Sequence, residues 1–436
     1  MKPINVGLLG IGTVGGGTWA VLARNREEIS RRAGRDIRIS VVADKEVDKA
    51  KRLTGGTARV VADAFEVVRD SEVDIVIELI GGTTIAKDLV LAAIESGKHV
   101  VTANKALLAT HGNAIFAAAQ GKGVMVAFEG AVAGGIPIIK ALREGLTANR
   151  IEWIAGIING TSNFILSEMR DKGLPFAAVL KEAQTRGYAE ADPTFDVEGV
   201  DAGHKLSIMA AIAFGIPMQF DKCYKEGIAG LTEGDIRHAE HLGYRIKLLG
   251  ITKRTGQGIE LRVHPTLIPA KRLIANVEGV MNAVLVKGDA VGPTMYYGAG
   301  AGAEPTGSAV VADLVDVTRL HTADPEQRVP HFAFQPDRMS SLKILPMEEV
   351  VTAYYLRMQV EDRPGVLADI SRILADAFIS INAMVQREPA AGERQVDIIM
   401  LTHQTREKSI NAAIGKIEKL PVVTGRVTKI RLEELQ

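Results

Sequence analysis

Residues 4–17, INVGLLGIGTVGGG, carry an uninterrupted apolar run straight into a cluster of glycines. Residues 4–9 are apolar on both faces, the pattern of a strand buried inside a parallel sheet. Gly10, Gly12 and Gly15 then form G-x-G-x-x-G, and residues 13–23 continue as a helix. In that setting the first glycine makes the tight turn, the second lets a pyrophosphate approach the backbone, and the third allows close helix–strand packing. The N–H groups at the helix start, around Thr13 and Val14, face phosphate without intrahelical partners. The glycine spacing alone is a weak signal. A strand before it and a helix after it point to a dinucleotide-binding βαβ unit.

The same alternation continues. A strand over 38–43 ends at Asp44, where a carboxylate accepts hydrogen bonds from ribose hydroxyls, whereas the adjacent Lys45 attracts a 2′-phosphate. These neighbours favour NAD without excluding NADP. Residues 73–79 (VDIVIEL) form a further strand ending at Gly81-Gly82, 86–96 a helix, and 99–103 a strand that runs into Asn104-Lys105. Carboxyl ends of parallel strands line the ligand cleft, so Lys105 is placed to meet substrate or nicotinamide. A strand at 124–128 precedes EGAVAGGIPII, whose small residues leave carbonyls uncovered for a substrate, a cation or only a tight turn. A helix over 138–146 leads out. The expected architecture is a Rossmann-type domain over 1–137, completed by about 300–325. There YYGAGAGAEPTGSAVVADLV places Gly298, Gly300 and Gly302 before an apolar helix, a hinge or a second backbone approach to the cofactor.

Residues 138–299 read as a second, α+β domain with an open sheet. A strand over 150–158 ends in NGTSNFIL, where Asn159, Thr161 and Ser162 can cap the next helix. Helices over 164–170 and 176–185 lead to GYAEADPTFDVEGVDAGHK, residues 187–205. Glu190, Asp192, Asp196, Glu198 and Asp201 crowd into this stretch ahead of Lys205. Asp201 and Lys205 are four apart at a helix start and share a face. Pro193 and Gly199 suit a loop that holds carboxylates in a cleft, or equally a solvated acidic loop. Apolar alternation in short segments over 225–269 and 283–286 supplies the sheet. Periodicity stops over 326–350, a linker. Residues 351–436 follow the order β-α-β-β-α-β of a split ferredoxin-like unit. That unit carries no nucleophile or metal cluster, so catalysis is expected elsewhere.

At 436 residues the chain exceeds one core and predicts two or three domains. Lysine plus arginine number 52, as do aspartate plus glutamate, which argues against a nucleic-acid partner held by a basic field. The single cysteine, Cys223, excludes an internal disulfide and a cysteine-rich metal site. The N-terminal apolar run, broken by glycines, is unlike a secretory signal. The apolar stretch 206–218, interrupted by Gly215 and Pro217, is too short to span a bilayer. A soluble, cytoplasmic protein with no membrane partner is expected.

With these residues in view, the chain resembles homoserine dehydrogenases of the single-activity type with a C-terminal ACT domain. The likeness covers essentially the whole length. It rests on GIGTVG, TANK at 102–105, EGAVAGGIP, NGTSNFIL, GYAEADPTFDVEGVDAGHK and GAGAGAEPTGSAVVADL. The nucleotide loop is common to many enzymes; the 187–205 stretch is close to diagnostic.

The resemblance implies NAD(P)-dependent interconversion of L-homoserine and L-aspartate 4-semialdehyde, a step of threonine, methionine and isoleucine biosynthesis. It makes Lys205 the proton donor and acceptor to the substrate oxygen, and Lys105 the second lysine near nicotinamide. Glu190 and Asp201 become ligands of the substrate's amino group and hydroxyl region, with Gly187 beside them and Asp196 in the same acidic segment. Gly302 becomes the later cofactor contact. Glu129, Val132, Gly134 and Ile136 match a monovalent cation site, sodium, served largely by carbonyls. In the ACT domain, Asp362, Pro364, Gly365, Val366 and Leu367 match the usual loop and helix, and Asn382 the following strand. That implies L-threonine as allosteric inhibitor, with a structural assembly role as the alternative, and a homodimer or homotetramer. Competing readings are an oxidoreductase for another small amino-acid alcohol and a non-catalytic amino-acid sensor.

Overall fold

The computed structural model describes residues 2–386 and 395–436. Strands β1–β6 are Ile4–Leu9, Ile37–Ala43, Arg59–Val61, Ile75–Glu78, His99–Thr102 and Val126–Ala127. Strands β7–β12 are Ile151–Ile157, Tyr224–Lys225, Tyr244–Arg254, Ile259–Pro269, Met281–Gly288 and Gly292–Ala299. Strands β13–β17 are Val351–Glu361, Ile381–Gln386, Gln395–Thr402, Thr405–Arg406 and Val423–Leu432. The chain packs as two compact units. One comprises residues 1–160, 201–223 and 280–342; the other comprises 161–200, 224–279 and 343–436.

The first unit holds a parallel sheet in the order β3-β2-β1-β4-β5-β6, the doubly wound arrangement with its switch point between β1 and β4. Ile4, Val6 and Leu8 of β1 share one buried core with Val310, Val311 and Leu314 of the helix Ala303–Leu320. The sheet is thus finished by a helix some three hundred residues downstream. Helix approach is close: a Cβ on Gly17 would lie 2.0 Å from the Ala303 carbonyl oxygen. An antiparallel set in the order β12-β11-β7 belongs to the same unit, with Val284 opposite both Gly156 and Tyr296.

In the second unit β9 and β10 form one long antiparallel hairpin, from Arg254 opposite Ile259 to Tyr244 opposite Pro269. The C-terminal sheet runs β17-β13-β15-β14, with the helices Val366–Asp376 and Glu407–Ile417 in β-α-β-β-α-β order. Strand β17 also pairs parallel with β10, Thr266 opposite Arg431 and Leu267 opposite Leu432. The ferredoxin-like sheet is therefore continuous with the hairpin.

Several local expectations change. The segment after residue 321 is laid against its own unit: Val126 N–H donates to His331 Nε2 at 3.1 Å, and Ser340 N–H to Gly215 O at 2.6 Å. The expected helix over 138–146 is Ile138–Lys140 passing into a π turn, Ala141–Gly145. The short sheet segments expected over 225–269 merge into the long hairpin, because no proline interrupts either strand before Pro265. Among the described residues no helix is long and apolar enough to cross a membrane.

Two histidines in the first unit predict acid sensitivity. His99 Nδ1 accepts from Met125 N–H at 2.9 Å, as His331 Nε2 accepts from Val126, so both rings must be neutral to hold β6. Burial, then Arg328 and His321, push His99 down to about 4; burial, then Arg143 and Arg328, do the same to His331. A depressed folded pKa means stability that is present above the ordinary pKa of about 6.5 and lost as pH falls toward 4. The limit is roughly 3 kcal/mol for His99 and less for His331, which keeps some solvent access. Urea midpoints measured from pH 7 to pH 4 should fall across this window, and His331→Gln should flatten the slope. An unchanged slope would show that the ring does not titrate with unfolding.

Candidate active site

The glycine turn has the steric form expected of a nucleotide cradle. Gly10 sits at φ 88, and a Cβ on Gly15 would lie 2.1 Å from Gly10 O, so the helix Thr13–Arg24 starts hard against the turn. Nothing lies within 4 Å of a Cβ on Gly12, and no side chain caps the helix there. Gly12 and Thr13 are exposed at this helix start, a fit for a pyrophosphate. Asp44, at the end of β2, braces the turn: Oδ2 accepts from Ile11 N–H and Oδ1 from Glu46 N–H, each at 2.8 Å. Its neighbour Lys45 is exposed. Gly302, at φ 130, precedes the helix whose first residue meets Gly17.

The next strand ends carry a buried carboxylate that sequence reasoning passed over. Glu78 is fully buried opposite Thr102. It accepts from Thr102 Oγ1 at 2.8 Å and from Ile80 and Gly81 N–H at 3.0 and 3.2 Å. Burial pushes this carboxyl up, against the pull of those donors. Asn104 donates to Gly82 O at 2.7 Å and caps the helix Lys105–Lys122 by accepting from Leu107 N–H at 3.0 Å. Lys105 is thus the first residue of a helix whose entry is tied to two strand ends. A lone glutamate inside VDIVIEL was the available signal.

Lys105 meets the helix Val200–Phe214 at Asp201. Lys105 Nζ lies 2.9 Å from Asp201 Oδ1, and Lys205 Nζ donates to Oδ2 at 2.7 Å. Asn159 Nδ2 also donates to Oδ2 at 2.9 Å, and Lys205 Nζ donates to the Ile158 carbonyl at 2.7 Å. Lys205 and Asp201 occupy one helix face, the i,i+4 geometry expected of them. Lys205 is buried, whereas the Lys105 side chain is 34% exposed, so one ammonium is walled in and the other keeps contact with solvent. Burial alone would raise the Asp201 carboxyl. The charges of Lys205 and Lys105, with hydrogen bonds from Lys205 and Asn159, outweigh burial and hold it well below the usual carboxylate range. Two ammoniums on one carboxylate leave a net positive site, suited to negative charge developing on a substrate oxygen.

The remaining predicted residues are distributed as follows. Gly187, Glu190 and Asp196 lie in the second unit. Gly187 has φ 74, Glu190 is exposed with its carbonyl accepting from Gln184 Nε2 at 3.1 Å, and Asp196 O accepts from Ser162 Oγ at 3.1 Å. The capping expectation needs correction for Thr161 and Ser162, because the helix begins at Gly160 and leaves only Asn159 at the position before it. Thr161 and Ser162 lie inside its first turn and tether the acidic segment, Thr161 Oγ1 donating to Tyr188 O at 2.7 Å, while Asn159 serves Asp201.

Glu129, Val132, Gly134 and Ile136 form a buried turn. The Glu129 carboxylate accepts from Ile139 and Lys140 N–H, both at 2.8 Å, and burial pushes it up. Among the described residues no group of three or more His, Cys, Asp or Glu is arranged to hold a metal ion. In the C-terminal unit Gly365, at φ 96, starts the helix Val366–Asp376. Val366 is buried and Leu367 partly so, while Asp362, Pro364 and Asn382 are exposed.

Comparison with known proteins matches three family models in order. These are the homoserine dehydrogenase NAD-binding domain over 10–129, homoserine dehydrogenase over 137–315 and the ACT domain over 354–422. The chain is 62% identical over 435 residues to a homoserine dehydrogenase of Pseudomonas aeruginosa and 61% identical to one of Neisseria gonorrhoeae, covering 100% of each. It superposes with a TM-score of 0.96 on a crystal structure of a homoserine dehydrogenase from Thiobacillus denitrificans, at 71% identity, over 100% of this chain and 99% of that one. The three family models and the full-length identity place the chain in the homoserine dehydrogenase family, as an NAD(P)-dependent oxidoreductase with a C-terminal ACT domain.

Proposed function

We propose that the chain interconverts L-homoserine and L-aspartate 4-semialdehyde, with Lys205 as proton donor and acceptor and Lys105 as its partner. The observation that carries this is the pair of ammonium groups on the two oxygens of Asp201. Gly10, Gly12, Thr13, Val14, Gly15, Asp44 and Gly302 would hold the dinucleotide, with Lys45 the point of attraction for a 2′-phosphate. When bound, nicotinamide supplies or accepts the hydride at the substrate carbon. Lys205 gives a proton to the aldehyde oxygen as it becomes an alcohol, and takes it back in the other direction. Lys105, more exposed, orients that oxygen and adds to its charge stabilisation. Asp201 orients both lysines and binds substrate beside them, and Glu190 is taken as a further substrate ligand.

In the oxidative direction the base must be neutral, and an ordinary lysine titrates at about 10.4. Homoserine oxidation is therefore expected to accelerate toward alkaline pH. A flat profile, with deuterated homoserine showing that hydride transfer limits turnover, would remove lysine from the role of base. A panel of small amino-acid alcohols, followed by nicotinamide absorbance, separates homoserine from its rivals; comparing kcat/KM for NAD and NADP settles the cofactor.

The proposal extends to a monovalent cation, sodium, held by backbone carbonyls of the 129–136 turn, since the Glu129 carboxylate already serves two N–H groups. It includes inhibition by L-threonine at Asp362, Pro364, Gly365, Val366, Leu367 and Asn382, a homodimer or homotetramer, and a cytoplasmic setting. Deleting the ACT domain is a poor test of regulation, because β17 is the partner of β10. Asp362→Asn in the full chain is the cleaner probe.

A further inference from the structure

We propose that β17 positions the acidic substrate segment 187–199, with Arg431 and Glu226 as the positioning residues. The inference rests on the reading that this segment, which contains Glu190, binds substrate.

Arg431 is fully buried on β17 and joins three elements through one guanidinium. Nε and Nη2 donate to the two oxygens of Glu407, on the helix Glu407–Ile417, at 3.0 and 2.6 Å. Nη1 donates to Glu226 Oε2 at 2.7 Å, and Nη2 to Tyr224 Oη at 3.1 Å. Tyr224 Oη in turn donates to Glu226 Oε2 at 2.7 Å. The clamp therefore holds the chain at 224–226, where β8 pairs with β10 and Glu226 N–H donates to Val263 O at 2.9 Å.

The next residues carry this fixation into the acidic segment. Ile228 N–H donates to Val197 O at 2.9 Å. A Cβ on Gly227 would lie 2.5 Å from Val197 O and 2.6 Å from Glu198 Oε2, and a Cβ on Gly199 would lie 2.9 Å from Val263 Cγ1. The turn that closes the segment is thus wedged between residues 226–228 and β10. At its other side Ser162 and Thr161 hold Asp196 O and Tyr188 O.

A buried guanidinium hub is a poor way to gain stability, since apolar residues of the same volume often do as well or better. It does set geometry in a way that apolar packing does not, because five N–H groups in a fixed fork admit few arrangements. An arginine here fixes where Glu226 sits, and Glu226 fixes the backbone on which Val197 rests.

The test is Glu226→Gln in the full-length enzyme, beside Glu190→Gln and Arg431→Lys. Glu226 is partly exposed, so the first variant is expected to fold, as its melting temperature will show. Its KM for homoserine should rise about tenfold, the effect of losing one charge-assisted hydrogen bond. Its kcat and its KM for the dinucleotide should stay within about twofold. A purely structural role would lower the active fraction and hence kcat, without moving KM. Arg431→Lys, which keeps the charge, should fall between wild type and Glu226→Gln. If Glu190→Gln raises the homoserine KM and Glu226→Gln does not, the positioning proposal is overturned and the substrate reading stands. If Glu226→Gln raises it and Glu190→Gln does not, positioning stands and Glu190 loses its role. If neither does, both are wrong.

Discussion

Replacing Lys205 by alanine is expected to lower turnover about 10³-fold, within the roughly 10²–10⁴-fold range of general acid–base groups. Affinity for the dinucleotide should be nearly intact, since the glycine turn and Asp44 are built from other residues. The effect should appear in kcat and kcat/KM together, the mark of an interaction made chiefly in the transition state. Lys105, on the other oxygen of Asp201, would supply the remaining rate. Fluorescence titration with NADPH alongside steady-state kinetics checks both halves. A comparable loss of dinucleotide affinity would mean that Lys205 holds cofactor and does not move a proton.

Asp201→Asn should have the opposite signature. The amide keeps the size of the side chain but removes the charge that two ammonium groups and Asn159 converge upon. Breaking one partner out of a buried ion pair costs about 3–5 kcal/mol, and part of that will appear as a homoserine KM raised roughly a hundredfold. With the counter-charge gone, ammonium is less favoured over amine, and the alkaline limb of homoserine oxidation should move to lower pH. The Asp201 carboxyl is itself held far below the assay range, so its own titration will not appear in the wild-type profile. Kinetics across pH 7 to 10 test the claim. An unchanged KM with an unmoved limb would show that Asp201 neither holds substrate nor sets the charge of the lysines.

How much of this was legible beforehand follows from the range of each interaction. The glycine turn, the i,i+4 pair of Asp201 and Lys205 and the β-α-β-β-α-β order are local, and periodicity or steric need exposes them. That Lys105 and Lys205 belong to one site was an expectation of family likeness; that they share the Asp201 carboxylate was not expected, since no pattern in either segment encodes it. Glu78 and Asn159 act through contacts with residues far along the chain. A glutamate in an apolar run and an asparagine before a helix have blander explanations, and capping was the one chosen for Asn159. The pairing of β17 with β10 was invisible for the same reason: two apolar edges attract without naming each other. The stretch after residue 321 reads as polar and proline-rich, yet it packs through scattered long-range contacts, His331 to Val126 and Ser340 to Gly215 among them, whose partners nothing in the segment names.

The helix Ala303–Leu320 fills the core between β1 and its neighbours. A nascent chain leaves the ribosome with β1 first and that helix among the later segments, and translation at roughly 5–20 residues per second separates them by about 15–60 s. For that interval the first strands have an uncovered apolar face. Synthesis therefore imposes a waiting period in which the nucleotide half is a client for chaperones, and premature termination before residue 303 yields a sticky fragment in place of a usable module.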